Sequence, residues 1–311
     1  MTNTRGRRLD AEIATTAFRW AVERVLRATG ALLPAVALRG LVRLLVGERR
    51  LALCFHRVRG AGVRLGVEHL PEFTHDAGDV DEIIDLFGGC RHRPVMGFDD
   101  GYLDAVAYVR ARAARHTEVE WMLAVCPDKT IGRRGFTWDD WVVDDRDGVD
   151  RGSDFIDWWE DAVRRGADAA RGSIGGADRD GYRLATIEEC RELARLDNVT
   201  LADHTDRHLP AAWLGDDDLL AEYVTSREAF ERAFGPTGHV VLPFGAAPWV
   251  EDHHVAIARG SGDRTVWTVG RGAAGAAGVI DRVPMASTDL PPRARVLEIA
   301  LRARWSPGRV R

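Results

Sequence analysis

A single parallel α/β barrel is the fold this sequence predicts, and three observations predict it. Short apolar runs ending at polar residues recur along the chain, and stretches of helical apolar spacing alternate with them. The length of 311 residues is ample for one large core and tight for two. The strand-like runs are Leu51 to Phe55, Val95 to Phe98, Val119 to Val125 and Val199 to Ala202. Helical spacing marks Val80 to Phe87, Leu103 to Ala114, Ile187 to Leu196 and Leu219 to Phe234. The third of these opens on a T-x-x-E capping box, Thr186 with Glu189.

The domain organisation expected is an N-terminal amphipathic helical arm over 1–49, a barrel over 50–290 and a C-terminal tail over 291–311. Within the arm, Val25 to Val46 is strongly apolar, but Arg27, Arg39 and Arg43 interrupt it and Pro34 breaks it. No uninterrupted span of about 18 to 20 apolar residues exists, so a transmembrane helix is not expected. Two readings of the arm stay open: it packs against the barrel, or it rests on an anionic membrane surface as a peripheral contact. Residues 138–182 read as an inserted loop region with one short helix near Phe155 to Arg165. Its tryptophans either cap the barrel or offer stacking faces to sugar rings.

The 43 basic and 48 acidic residues are mixed along the chain and leave a net charge of −5, so nucleic acid is not an expected partner. Cys54, Cys90, Cys126 and Cys190 form no C-x-x-C pair and read as free thiols. Met1 to Asp10 is polar, with no short apolar core and small-residue cleavage site after it. A cytoplasmic protein, with peripheral contact at the membrane, is the expectation.

The chemistry concentrates in two places. Val95-Met96-Gly97-Phe98-Asp99-Asp100-Gly101-Tyr102 ends an apolar run in two adjacent carboxylates, and His204-Thr205-Asp206-Arg207-His208 supplies two imidazoles four residues apart. One carboxylate and two histidines suffice for a divalent metal with an open position, and the other carboxylate is left as a base. Residues at the carboxyl ends of parallel strands share one mouth, so distance in sequence is no obstacle. If the turn after the strand is helical, His204 and His208 fall on one face.

These motifs resemble those of the polysaccharide deacetylases, the NodB-homology group of carbohydrate esterase family 4. Gly97 to Gly101 resembles the family's TFDDG motif, His204 to His208 its H-[ST]-x-x-H motif, and Leu242-Pro243-Phe244-Gly245 its Pro-aromatic-Gly motif, in the family's order. Leu51 to Val58, with Phe55-His56-Arg57-Val58, looks like the "YHRV" first strand of a subgroup that includes the poly-N-acetylglucosamine deacetylases. The resemblance covers roughly 50–290 and implies a NodB-type distorted (β/α) barrel. It implies metal ligation by Asp100, His204 and His208, with zinc foremost, and Asp99 as general base. A backbone N–H near Phe244, after Pro243, is implied as oxyanion donor, and Thr205 as a hydrogen-bonding brace of the loop.

The sequence departs from the family pattern at three points. Most members carry a late Leu-x-His motif whose histidine protonates the leaving amine, but no histidine follows Ile280. In the subgroup the acid comes from the first strand, where His56 stands; His253 and His254 are the next candidates. Leu242 occupies the place of an arginine or aromatic that normally orients the base, and Arg282 is the candidate replacement. Asp203 precedes His204 where a small or amide residue is common. The implied activity is N-deacetylation of an acetamido sugar or glycan in a surface-polysaccharide or glycoconjugate pathway. The alternatives are an inactive, deacetylase-like carbohydrate-binding protein, or a hydrolase of another amide or ester.

Overall fold

The structure, a computed structural model, describes residues 21–60, 62, 74–132, 136, 183–262, 264–270, 278–285 and 290–305. The inserted region expected over 138–182, with its helix near Phe155 to Arg165, lies outside the described residues. Seven parallel strands close a barrel in the order β1 (Ala52–Phe55), β4 (Val95–Phe98), β5 (Glu120–Val125), β6 (Val199–Asp203), β7 (His239–Val241), β8 (Thr265–Val269) and β9 (Val279–Pro284), with β9 returning to β1. A separate parallel pair, β2 (Arg57–Arg59) and β3 (Thr74–Asp76), lies between β1 and the first barrel helix.

Helices form the outer layer: α1 (Ala35–Val46), α2 (Ala77–Phe87), α3 (Leu103–Arg112), α4 (Pro127–Gly132), α5 (Ile187–Leu193), α6 (Asp216–Phe234), α7 (Asp252–Gly260) and α8 (Pro292–Trp305). The capping box read at Thr186 is formed: its side chain accepts from the Glu189 N–H at 3.2 Å, and Glu189 accepts from the Thr186 N–H at 2.8 Å.

Period-two alternation divides the strands between two cores. Leu53, Phe55, Met96, Phe98, Trp121 and Leu123 face outward to the helices, in one cluster with Val80, Ile84, Val106 and Val109. Ala52, Val95, Met122, Ala124, Ala202, Val241 and Trp267 face inward and fill the barrel. That parity fixes what reaches the mouth. Continued past the strand ends, the inward set of β1, β4 and β6 arrives at His56, Asp99 and His204, while on β9 it runs from Ile280 to Arg282.

Among the described residues, the helices on either side of the barrel sequence are more integrated than an arm and a tail. Leu38, Val42 and Val46, spaced four apart on α1, are fully buried, and α1 packs against both α8 and α2. At about 1.5–3 kcal/mol per buried aliphatic side chain, this row is enough to hold α1 on the barrel. The stretch expected as a tail instead forms α8, with Ala294, Val296, Leu297, Ile299 and Ala300 in the main core. Arg residues interleaved with those apolar positions hide the pattern in the sequence. No helix among the described residues is long and apolar enough to cross a membrane.

Candidate active site

Asp99 is the first residue beyond β4 and is buried. The Arg282 guanidinium donates to both of its oxygens, Nη1 to Oδ1 at 2.6 Å and Nη2 to Oδ2 at 2.8 Å. Arg282 itself is 1% exposed and reaches across the barrel interior. Gly97 makes that passage possible, because a Cβ there would stand 3.3 Å from Arg282 Nη1 and 3.0 Å from the Leu53 carbonyl. Burial works to raise the Asp99 carboxyl, but the charges of Arg282 and His204 outweigh it and bring the pKa down to about 2. Arg282, the candidate replacement for the group missing at Leu242, is thus paired with Asp99. Leu242 is turned into an apolar cluster with Val240 and Val250.

Asp100, His204 and His208 bring three ligand atoms within 4.8 Å of one another. His204 Nδ1 donates to the Val241 carbonyl at 2.9 Å, which leaves Nε2 as a lone pair aimed into the site. His204 Nε2 lies 3.5 Å from Asp100 Oδ1 and 3.1 Å from His208 Nε2, and His208 Nε2 lies 3.0 Å from Asp100 Oδ1. Asp100 Oδ1 is nevertheless buried with no aligned hydrogen bond among the described residues. Two ring nitrogens and a carboxylate oxygen crowd together without the protons to satisfy them all. One carboxylate and two imidazoles form a donor set that suits a divalent cation. Burial opposes charge on His204, yet Asp99 and Asp100 raise its pKa; at His208 burial prevails and lowers the pKa to about 4, leaving a neutral imidazole at physiological pH.

The histidines do not converge by a helical turn. Residues 204–208 form an irregular loop in which Thr205 (φ 62°) and His208 (φ 56°) both adopt left-handed backbone. Asp100 (φ 73°) and Phe244 (φ 50°) do the same, and these four are the only non-glycine residues with positive φ among the described residues. Each costs of order 1–3 kcal/mol, and all four fall in the three sequence motifs. Such strain, confined to motif residues, marks a site held by the surrounding fold.

The bracing of that loop differs from expectation. The Thr205 hydroxyl is buried with no hydrogen-bond partner among the described residues, and the brace runs instead from its backbone N–H to Asp203 Oδ1 at 3.1 Å. Asp203 has the outward parity of β6, so it does not reach the metal ligands. It pairs with buried Arg264 at 2.5 Å and accepts from Ser226 on α6 at 2.5 Å. Arg207 is held by Glu222 of the same helix at 2.5 Å.

His56 sits beyond β1, partly exposed, with Cys54 and Asp99 ligand atoms within 4.8 Å. Its loop is clamped by Asp104, which accepts from the Val58 N–H at 2.7 Å and from Arg57 at 3.3 Å; the Arg57 guanidinium lies 4.3 Å above the Tyr102 ring. Pro243 is buried, and Phe244 packs edge-on to His208 at 5.2 Å. His254 accepts from the Glu251 N–H within α7, and His253 is half exposed near Asp216 and Glu251.

Three contributors escaped the sequence reading. The Cys54 thiol donates to Asp99 Oδ2 at 3.4 Å, with burial pushing its pKa well up. Phe136 also packs edge-on to His208, with ring centroids 5.2 Å apart. Lys129, the only lysine, is 1% exposed with its ammonium 5.1 Å from the Phe136 ring centre, and its charge contributes to the lowered His208 pKa. Inward parity at β1 gave a signal for Cys54; Phe136 and Lys129 follow no periodic pattern. All four cysteines are free, as their spacing suggested.

No family model matches this sequence, and no curated protein matches it. Solved structures do. BC0361, a polysaccharide deacetylase from Bacillus cereus, is similar with a TM-score of 0.52 at 11% identity, over 82% of this chain and 69% of that one. BA0330 from Bacillus anthracis, also described as a polysaccharide deacetylase, gives 0.52 at 10% identity over 80% and 68%. IcaB from Ammonifex degensii gives 0.50 at 15% identity over 83% and 98%. At such identities the likeness is one of fold, and it agrees with the closed parallel barrel. The protein has the NodB-type (β/α) barrel fold of the polysaccharide deacetylases.

Proposed function

We infer that the protein is a metal-dependent hydrolase that removes the acetyl group from the nitrogen of an acetamido sugar or glycan. One observation carries this reading: a carboxylate locked by Arg282 shares a mouth with an Asp–His–His set suited to a metal. Asp100, His204 and His208 would hold the ion, which when bound polarises an amide carbonyl and acidifies a water. The names of the solved structures similar in fold, two of them polysaccharide deacetylases, support the substrate class.

The remaining chemistry belongs to the chain. A carboxylate with a pKa of about 2 is ionised at physiological pH, so Asp99 can accept a proton and cannot donate one. Arg282 uses one lone pair on each oxygen and leaves others for the attacking water. As water oxygen bonds to the carbonyl carbon, Asp99 takes its proton. The C–N bond then breaks with a proton delivered to nitrogen, and His56, on the accessible side of Asp99, is the donor this reading assigns. The Phe244 N–H is the assigned oxyanion donor. Arg282 fills the role left by Leu242, which favours turnover over an inactive binding protein.

The test is acetate release from N-acetylglucosamine oligomers, UDP-N-acetylglucosamine and O-acetylated counterparts. Equimolar acetate and free amine from at least one N-acetylated substrate is expected. Acetate from esters alone would reassign the protein as an esterase, and oligomer binding without acetate by metal-loaded protein would make it a binding protein. His56→Ala is expected to lower kcat on the amide by roughly two to four orders of magnitude, with KM and metal content little changed and an activated ester far less affected. Equal rates of variant and wild type on the amide would place the acid elsewhere.

A further inference from the structure

The corner between the N-terminal helical segment 21–32 and α1 exposes apolar side chains that the fold does not use. Among the described residues seven large hydrophobics are exposed, and five of them, Val22, Val25, Leu32, Val36 and Leu44, belong to these two helical segments. Leu32 is 81% exposed and Val36 80%, on either side of Pro34, while the opposite face buries Leu26, Leu38 and Val42. Four arginines, Arg24, Arg27, Arg39 and Arg43, lie between Glu23 and Glu48, and Ala28 to Leu38 carries no charge at all. An apolar tip flanked by arginines is the composition that binds an anionic bilayer, and the nearby carboxylate of Glu82 is countered by Arg293 at 2.7 Å.

The position of the tip gives this consequence. Arg295, in the first turn of α8, donates to the carbonyl of Pro284, the last residue of β9, at 2.9 Å. The start of α8 therefore lies at the carboxyl end of the strands, which is the end where the candidate site opens. Next to Arg295 in sequence, Arg293 reaches the Leu33 carbonyl at 3.4 Å, and a Cβ on Gly30 would stand 3.0 Å from the Ala294 nitrogen. The apolar corner and the mouth share one end of the barrel.

We propose that this corner docks on an anionic lipid surface and turns the mouth toward the bilayer, so that the substrate is an acetamido sugar carried on a lipid. The docking stands on exposure and charge alone; the substrate class rests on the deacetylase reading. Full-length protein should float with vesicles of phosphatidylcholine containing about 30 mol% phosphatidylglycerol and remain unbound with phosphatidylcholine alone. Leu32→Glu with Val36→Glu, at positions that pack on little, should keep the wild-type melting temperature and reduce vesicle binding roughly tenfold or more. It should retain acetate release from a soluble N-acetylated sugar while losing the advantage on the same sugar linked to lipid in those vesicles. Unchanged binding by the double variant, or equal binding to both vesicle types, overturns the docking. So does a stable dimer in solution that the double variant converts to monomer, because a second copy would then cover the corner. Docking without acetate release from either substrate leaves the surface intact and defeats the deacetylase reading instead.

Discussion

Asp99→Asn is expected to abolish turnover while leaving metal content at the wild-type level. The amide keeps the shape of the carboxylate but cannot take a proton from water, so the loss should be on the order of a hundredfold or more in kcat. The variant also leaves Arg282, 1% exposed, without its counter-charge. Breaking a buried ion pair costs about 3–5 kcal/mol, so the melting temperature should fall and rates should be measured below it. Asp100→Asn should lose metal as well as turnover. Metal content by elemental analysis and acetate release on both variants check the assignment; the reverse pattern would exchange the roles of the two carboxylates.

His208→Ala should lose metal. A site of three protein ligands has no spare, and the affinity should fall by at least about a hundredfold. The change removes a ring that packs on both Phe136 and Phe244, so a metal-independent control is needed. That control is the melting temperature with and without added zinc. Wild type should gain thermal stability with zinc, as a ligand bound only by the folded state requires, and His208→Ala should gain little or none. An unchanged zinc response in the variant would remove His208 from the site.

What was legible in the sequence follows from period-two alternation. The strands from Leu51, Val95, Val119 and Val199 show as short apolar runs because both of their faces are buried, and their ends carry the site residues. β9 was harder to see. Asp281 and Arg282 interrupt Val279–Pro284, and it is the requirement to place a guanidinium on Asp99 that puts a charge inside a strand. The same need explains Gly97 in the middle of β4. The path by which His204 and His208 meet was not legible, since it depends on left-handed backbone at Thr205 and His208, which neither residue type announces. Asp203 looked like an extra carboxylate for the site, and only its parity on β6 shows that it serves Arg264 instead.

Turnover is expected to depend on metal held at the Asp100–His204–His208 set. Protein stripped of metal by a chelator and titrated with zinc, with acetate release from an N-acetylated substrate measured at each addition, tests this directly. The expected result is no turnover at zero metal and a rise that breaks at about one equivalent per chain, absent in His208→Ala. Full turnover by the stripped protein, or zinc binding at one equivalent that His208→Ala retains, would contradict it.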